Sequence, residues 1–467
     1  MKQKLDIGAV LTTEQANALL RQFSFELLPG APDALTKLYG GYSGSNYRAR
    51  CGDGREVLLK LLHDTNEDEV TVQVEALRHM RRAGFLRTAF PQPVAPQARR
   101  GAAPPAASSS SFWVSAAPSH GAGSFALVLD FLRGAPVDGL LARWEQAAAA
   151  ADQGGRGQGL EEGGGGTRAR IAATAATLAV FRQVGGLLAS LHAVPLPLPT
   201  DPPSPGPAAF RTATGGGACT CTAEIGRELL CGGGALAQDT AVAADPFVAL
   251  LRERLPALQR LADGAELPRS LLHGDPFMDN ILALEAEVTR GDDGAAAAAA
   301  GTDAPARVEL QGIVDWEDVC AGPRLFDVAC AAIGGCFLPP GSATERHCLG
   351  IARSGSGGCL DLGRLEALLS GYQQEARPPL CRAEREALVP AMQGALLCNA
   401  FFRFRKFRCG KTPAATAAGT DGAAPALSEA HVELVERMLA LDDGEAQAAV
   451  AAAVERAVLL PGTASPE

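Results

Sequence analysis

Two short stretches of this 467-residue chain place carboxylate and amide side chains at spacings suited to metal-assisted chemistry. The first is Leu272-His273-Gly274-Asp275-Pro276-Phe277-Met278-Asp279-Asn280, the second Gly312-Ile313-Val314-Asp315-Trp316. Asp275 and Asn280 suit a loop that offers a base and a metal ligand to one small space. Asp315 ends an apolar β-type run from Leu310 to Val314, which would hold its carboxylate at a strand end. Phosphoryl transfer from ATP needs such a set: a carboxylate to take the acceptor hydroxyl's proton, and two oxygen ligands for magnesium. The pattern speaks more sharply about chemistry than about substrate.

A lysine in the first third of the chain completes the set. Glu56-Val57-Leu58-Leu59-Lys60-Leu61-Leu62 is an apolar strand interrupted by Lys60, and Cys51-Gly52-Asp53-Gly54 before it signals a hairpin. A lysine at a strand edge can simply snorkel. Here the next helix carries Glu75, a carboxylate able to orient a buried ammonium beside ATP phosphates, and a strand lysine followed by a helix glutamate is the arrangement kinases use. One hairpin earlier, Gly40 to Asn46 reads as a glycine turn between strands. Its backbone N–H groups at Gly41, Ser43, Gly44, Ser45 and Asn46 could cover phosphates, with Ser43, Ser45 and Asn46 adding side-chain donors. His273 reads as structural and Trp316 as packing. Asp327, in Arg324-Leu325-Phe326-Asp327-Val328-Ala329, reads as an anchor for the Asp275 loop. Glu317 and Asp318 lie either at a substrate mouth or on a solvated acidic turn.

These residues need a framework. Helical periodicity or apolar content predicts helices over Thr13 to Phe23, Glu67 to Ala83, Ile171 to His192, Phe247 to Leu261, Leu325 to Phe337, Leu360 to Tyr372, Arg382 to Arg408 and Ser428 to Leu441. Ala126 to Phe131 reads as a strand ending at Gly134. A β-rich first third and a mainly helical remainder give an α+β chain in two lobes, 1–134 and 135–467. Gly 53 and Pro 31 concentrate in stretches near 95–124, 147–167, 197–244, 290–306 and 410–426. Such runs lack the apolar area to offset their ordering entropy and read as disordered insertions.

Composition narrows the partners. A net charge of −10 argues against nucleic acid or an anionic membrane. The basic cluster Arg403-Phe404-Arg405-Lys406-Phe407-Arg408 reads as a solvated helix face. Twelve cysteines at scattered positions, with no C-x-x-C pair, point to reduced thiols and a cytoplasmic setting. No run of 18 apolar residues suggests a membrane span, and the N-terminus lacks a secretory h-region.

The motifs His273-Gly274-Asp275 through Asn280, Val314-Asp315-Trp316-Glu317-Asp318, Gly322-Pro323 and Phe326-Asp327-Val328-Ala329 resemble the signature of the aminoglycoside phosphotransferase and choline kinase superfamily, which has the protein-kinase-like fold. Ser43-Gly44-Ser45-Asn46-Tyr47, Val74-Glu75-Ala76-Leu77-Arg78, Leu187 to Ala193 and Leu369-Ser370-Gly371-Tyr372 resemble its bacterial-type homoserine kinase branch. The resemblance implies Asp275 as the base, Asn280 and Asp315 as magnesium ligands, Lys60 on the α/β phosphates and Glu75 fixing Lys60. It also implies that adenine lies against the linker around Asp130 and Leu132. Homoserine kinases of this type usually carry a phenylalanine and no acidic pair after the metal aspartate, whereas this chain has Trp316-Glu317-Asp318.

The expected function is ATP- and magnesium-dependent phosphorylation of a small-molecule hydroxyl, with a homoserine-like amino alcohol as first choice, by a monomer or homodimer. Hydroxylysine, a choline-like base, a sugar or an aminoglycoside are rival acceptors. A catalytically inactive nucleotide-binding scaffold is the rival from another class, and the retained Lys60, Asp275, Asn280 and Asp315 speak against it.

Overall fold

A computed structural model of the chain describes residues 11–38, 44–63, 65–95, 112–116, 124–155, 164–196, 225, 240–286, 307–338, 348–350, 359–405, 429 and 431–459. The chain divides into two compact units: Met1–Arg133 with Leu196–Thr214 and Gly312–Val319, and Gly134–Pro195 with Gly215–Gln311 and Cys320–Glu467.

In the first unit, helix α1 (Thr13–Arg21) begins at a capping box in which Thr12 and Gln15 satisfy each other's backbone N–H. Strands β1 (Leu35–Leu38), β2 (Gly44–Arg50) and β3 (Glu56–Leu62) precede helix α2 (Glu67–Arg82), which starts at a second box between Asn66 and Glu69. Strands β4 (Trp113–Ser115) and β5 (Phe125–Asp130) follow. The five strands pair antiparallel in the order β1-β2-β3-β5-β4.

Strand pleating then sorts the side chains. Tyr47, Ala49, Val57, Leu59, Leu61, Ala126 and Val128 form one apolar core with Ala16, Leu19 and Leu20 of α1. The alternate residues, Asn46, Leu58, Lys60, Leu127 and Leu129, take the other face, with Asn46, Lys60 and Leu127 in register. The lysine that interrupts the apolar run is thus directed away from the main core.

The second unit is mainly helical. It opens with β6 (Ala135–Pro136), α3 (Val137–Gly155), α4 (Gly164–His192), α5 (Thr240–Ala243) and α6 (Pro246–Asp263). Strand β7 (Arg269–Leu272) leads through the Asp275 loop and a single 3-10 turn, Met278–Asn280, into β8 (Ile281–Ala286). Strand β9 (Arg307–Ile313) pairs with β8 and carries the chain into the Gly312–Val319 segment of the first unit. Strand β10 (Cys320–Pro323) pairs antiparallel with β7 and leads to α7 (Leu325–Gly335). Three short strands follow: β11 (Phe337–Leu338), β12 (Cys348–Gly350) and β13 (Cys359–Asp361). The remaining helices are α8 (Leu362–Glu375), α9 (Arg382–Glu386), α10 (Leu388–Arg403), α11 (Val432–Ala440) and α12 (Gly444–Leu459). A β-rich first unit and a helical second unit form the α+β order that the sequence implies for a protein-kinase-like fold.

Three departures have local causes. The helix expected over Arg382 to Arg408 breaks at Ala387, because Pro390 lacks an N–H and its ring would clash with the Glu386 carbonyl of a continuous helix. Helices α3 and α4 run into the stretch near 147–167 from both sides. On the α3 side alanine, the strongest helix former, extends an amphipathic start. Similarly, β4 lies inside the stretch near 95–124, and α5 inside that near 197–244. Most of the other residues in the five biased stretches, and Lys406 to Arg408 of the basic cluster, lie outside the described residues.

Ala173–His192 is long and apolar enough to cross a membrane by length and composition, with half of it buried inside the protein. Val180, Val184, Leu187, Leu188 and Leu191 are all fully buried on α4. Close approach to α8 rests on two glycines: a Cβ on Gly185 would overlap the Leu368 carbonyl oxygen, and one on Gly371 the Arg182 carbonyl oxygen. Gly371→Ala should therefore destabilise the protein by about 1–3 kcal/mol, as overpacking does, seen as a lower thermal unfolding midpoint. Gly139→Ala, in α3 with open space around the new methyl, should be neutral or stabilising by up to about 1 kcal/mol.

Candidate active site

Each unit holds its own cluster of the residues singled out above. In the first, Lys60 is 4% exposed on β3, and its Nζ lies 2.6 Å from Asp315 Oδ1 and 2.8 Å from Glu317 Oε1. Burial alone would pull the ammonium's pKa down. The two carboxylates outweigh it and hold the group above the ordinary lysine range. Asp315 sits at φ 72°, a left-handed conformation that aspartate tolerates better than most residues. Its neighbour holds it there: Trp316 is buried, donates Nε1–H to Thr88 Oγ1 at 2.7 Å, and meets Phe85 edge-on. Burial, then the Glu317 and Asp315 carboxylates, push the Asp318 carboxyl up to about 7, with Lys60 opposing.

Gly44 allows β2 to pass β3 closely, since a Cβ there would come within 2.5 Å of the Leu61 carbonyl oxygen and 3.8 Å of Glu317 Oε1. Asn46, opposite Lys60, has a buried Oδ1 with no hydrogen-bond partner. Ser45 is buried, and its hydroxyl faces His63 Nε2 at 3.2 Å. Gly41 and Ser43 lie outside the described residues. Asp130 accepts a hydrogen bond from Gln92 Nε2 at 2.6 Å, and Leu132 follows β5, partly buried.

Glu75 corrects the expectation. It is buried on α2, as a lysine partner would be, yet its Oε1 accepts from Arg78 Nη1 at 2.6 Å. Its Oε2 is buried without a hydrogen bond, 3.9 Å from Arg82 Nη2. The Lys60–Glu75 pair is not formed. Arg78, one turn further along the same helix and held over the Phe112 ring at 4.7 Å, reaches Glu75 without any movement of α2. Lys60 meanwhile has two carboxylates of its own.

In the second unit, Gly274 turns the Asp275 loop with φ 87°. The buried His273 ring accepts the Asp275 N–H on Nδ1 at 3.2 Å, confirming a structural part for it. Asn280 donates its amide to the Asp275 carbonyl at 2.9 Å and to Asp275 Oδ2 at 3.2 Å. That spends the amide nitrogen on the loop, so Oδ1 is the atom of this side chain that could hold a metal. The loop packs on α7 because Gly334 has no side chain: a Cβ there would stand 2.3 Å from Phe277. Asp327, fully buried in α7, accepts His273 N–H at 2.7 Å and Gly274 N–H at 3.0 Å. The expected anchor is thus in place.

Two features escaped the sequence reading. Glu317 as a second partner of Lys60 gave no signal beyond its proximity to Asp315. A buried chain of Tyr372, His192 and Asp327 could have been sought from Asp327 itself, because a carboxylate inside an apolar helix requires donors.

No protein-family model matches the sequence, and no curated protein matches it significantly. Among solved structures the chain is similar to an ethanolamine kinase from Plasmodium vivax, with 10% identity over 90% of this chain and 86% of that one, at TM-score 0.45. A choline/ethanolamine kinase family protein from Mesorhizobium loti shows 13% identity over 94% and 99% of the two chains, at TM-score 0.42. A macrolide 2'-phosphotransferase from Brachybacterium faecium shows 16% identity over 90% and 97%, at TM-score 0.40.

Asp327→Asn should speed amide exchange at His273 and Gly274 by about tenfold to a hundredfold, since hydrogen bonds to a charged group contribute about 1.5–3 kcal/mol. Hydrogen–deuterium exchange read at those two amides checks it.

Proposed function

We propose that the protein is an ATP- and magnesium-dependent phosphotransferase acting on a hydroxyl of a small molecule. One observation carries the reading: Lys60 and Asp315, singled out independently and 255 residues apart in sequence, meet at 2.6 Å in a partly buried setting. A buried cation beside an oxygen ligand is what the phosphates of a metal-bound nucleotide require.

The residues suit such a ligand. Lys60 would hold the α/β phosphates, and Asp315 with Asn280 Oδ1 the magnesium, which supplies charge neutralisation when bound. No side chain projects from Gly44, whose Cβ position lies 3.8 Å from Glu317 Oε1, and the orphaned Oδ1 of Asn46, on the same sheet face as Lys60, would suit a ribose hydroxyl or a water, since phosphate oxygens only accept. The segment from Asp130 to Leu132 would border the adenine. Asp275 would take the proton of the acceptor hydroxyl, steered by Asn280 and by the anchored loop backbone. Glu75 would serve Lys60 only after leaving Arg78.

The acceptor we favour is a small amino alcohol such as homoserine; the Glu317–Asp318 pair, which homoserine kinases of this type usually lack, speaks for the cationic rivals, a choline-like base or an aminoglycoside, over a sugar.

Asp275→Asn should lower turnover by about 10²–10⁴-fold, the usual range for a general base, while ATP affinity stays within about threefold of the parent. Turnover near that of the parent would remove Asp275 from the role. An ADP-release assay against amino alcohols, choline-type bases, sugars and aminoglycosides identifies the acceptor. Protein that neither binds Mg-ATP nor releases ADP with any of them would favour the inactive scaffold.

A further inference from the structure

The interior of the second unit holds a polar chain that the proposed chemistry does not use directly. The Tyr372 hydroxyl lies 2.8 Å from His192 Nδ1, and His192 Nε2 lies 3.2 Å from Asp327 Oδ2. The same Oδ2 accepts the His273 N–H, and Oδ1 the Gly274 N–H. All three side chains are essentially inaccessible: His192 is 1% exposed, Tyr372 and Asp327 0%. The chain spans three helices, with His192 closing α4, Asp327 in the first turn of α7 and Tyr372 in the last turns of α8.

Hydrogen-bond satisfaction fixes its polarity. A buried phenol has one proton to give, and among the described residues His192 Nδ1 is the acceptor it reaches. Burial pushes the Tyr372 pKa up, with the Arg324 guanidinium, whose Cζ lies 5.8 Å from the ring centroid, opposing, so the phenol keeps its proton. If Nδ1 accepts, the neutral imidazole must carry its own proton on Nε2, where the Asp327 carboxylate takes it. With the opposite tautomer, two lone pairs would face each other at 3.2 Å and the phenol proton would be stranded.

We infer that Tyr372, donating to Nδ1, and Asp327, accepting at Nε2, together fix His192 as the neutral Nε2–H tautomer, making His192 the third donor to Asp327. Tyr372 and His192 are thereby positioning residues for the Asp275 loop. Their effect on turnover rests on the reading of Asp275 as base; the tautomer and the loop's protection do not. Tyr372→Phe removes the phenol's proton and oxygen and nothing else of its shape. Nδ1 is then left buried without its donor, and the ring that donates to Asp327 is held from one side alone.

The test uses the full-length protein with ¹⁵N-labelled histidine. Its two-dimensional ¹⁵N spectrum, with the His192 signals assigned by His192→Gln, should show Nδ1 unprotonated and Nε2 protonated at neutral pH. Tyr372→Phe should move the Nδ1 signal as that nitrogen loses its donor, speed amide exchange at His273 and Gly274, and lower kcat about tenfold with KM for ATP unchanged, because small displacements of a catalytic group cost that much or more. His192→Gln, whose amide can still donate to Asp327, should keep His273 and Gly274 protected. An Nδ1–H tautomer or an imidazolium in the parent protein overturns the inference, as does unchanged exchange and kcat in Tyr372→Phe. Should no acceptor support turnover, the spectrum and the exchange rates still decide the tautomer, and only the kinase reading falls.

Discussion

The second unit depends on one buried carboxylate. Asp327 sits in a helix that is otherwise apolar and, Gly334 apart, buried, where an unpaired charge would cost several kcal/mol. It is tolerable there because it collects two backbone N–H groups from the loop after β7, with a ring nitrogen from the end of α4 at hydrogen-bond distance. The dependence runs both ways. The loop's N–H groups, turned inward by the positive φ of Gly274, would be equally costly without Asp327. A catalytic-type loop can therefore be irregular and still be held at a fixed height above α7, where Gly334 makes room for Phe277.

In the first unit the corresponding constraint is Lys60. Its ammonium is placed by strand register and held by two carboxylates from a segment that returns more than two hundred residues later. The left-handed turn at Asp315 is stabilised by Trp316, which is packed against Phe85 and bonded to Thr88. Local strain at the ligand-type aspartate is thus supported by an aromatic anchor one residue on. Glu75 illustrates what happens when an acid has a nearer cation: Arg78 takes it, and its second oxygen stays buried and under-used.

The residues with unusual chemistry for their surroundings were the most legible part of the sequence. A lysine in an apolar strand, an aspartate in an apolar helix and an aspartate closing a β run all stand where the sequence suggested, because each breaks a strong pattern. Their pairings were less legible. Lys60 joins Asp315 and Glu317 rather than Glu75, since sequence spacing defines a helix face but not which cation reaches it first. The contact of the Ser45 hydroxyl with His63 follows from β2 pleating that a glycine-rich stretch disguises. The break before α10 was readable from Pro390, and α3 was hidden by a run of alanines that resembles low-complexity filler. Tyr372 and His192 carry no local anomaly at all; only the third dimension joins them.

The alternation along β3 has an implication for folding fidelity. Lys60 is flanked by Leu59 and Leu61, both fully buried against α1. A slip of one residue in the pairing of β2 with β3 would drive an ammonium into that hydrocarbon layer and turn two leucines outward. The same side chain that suits a phosphate therefore also acts as a proofreading mark, penalising misaligned strands before any ligand arrives.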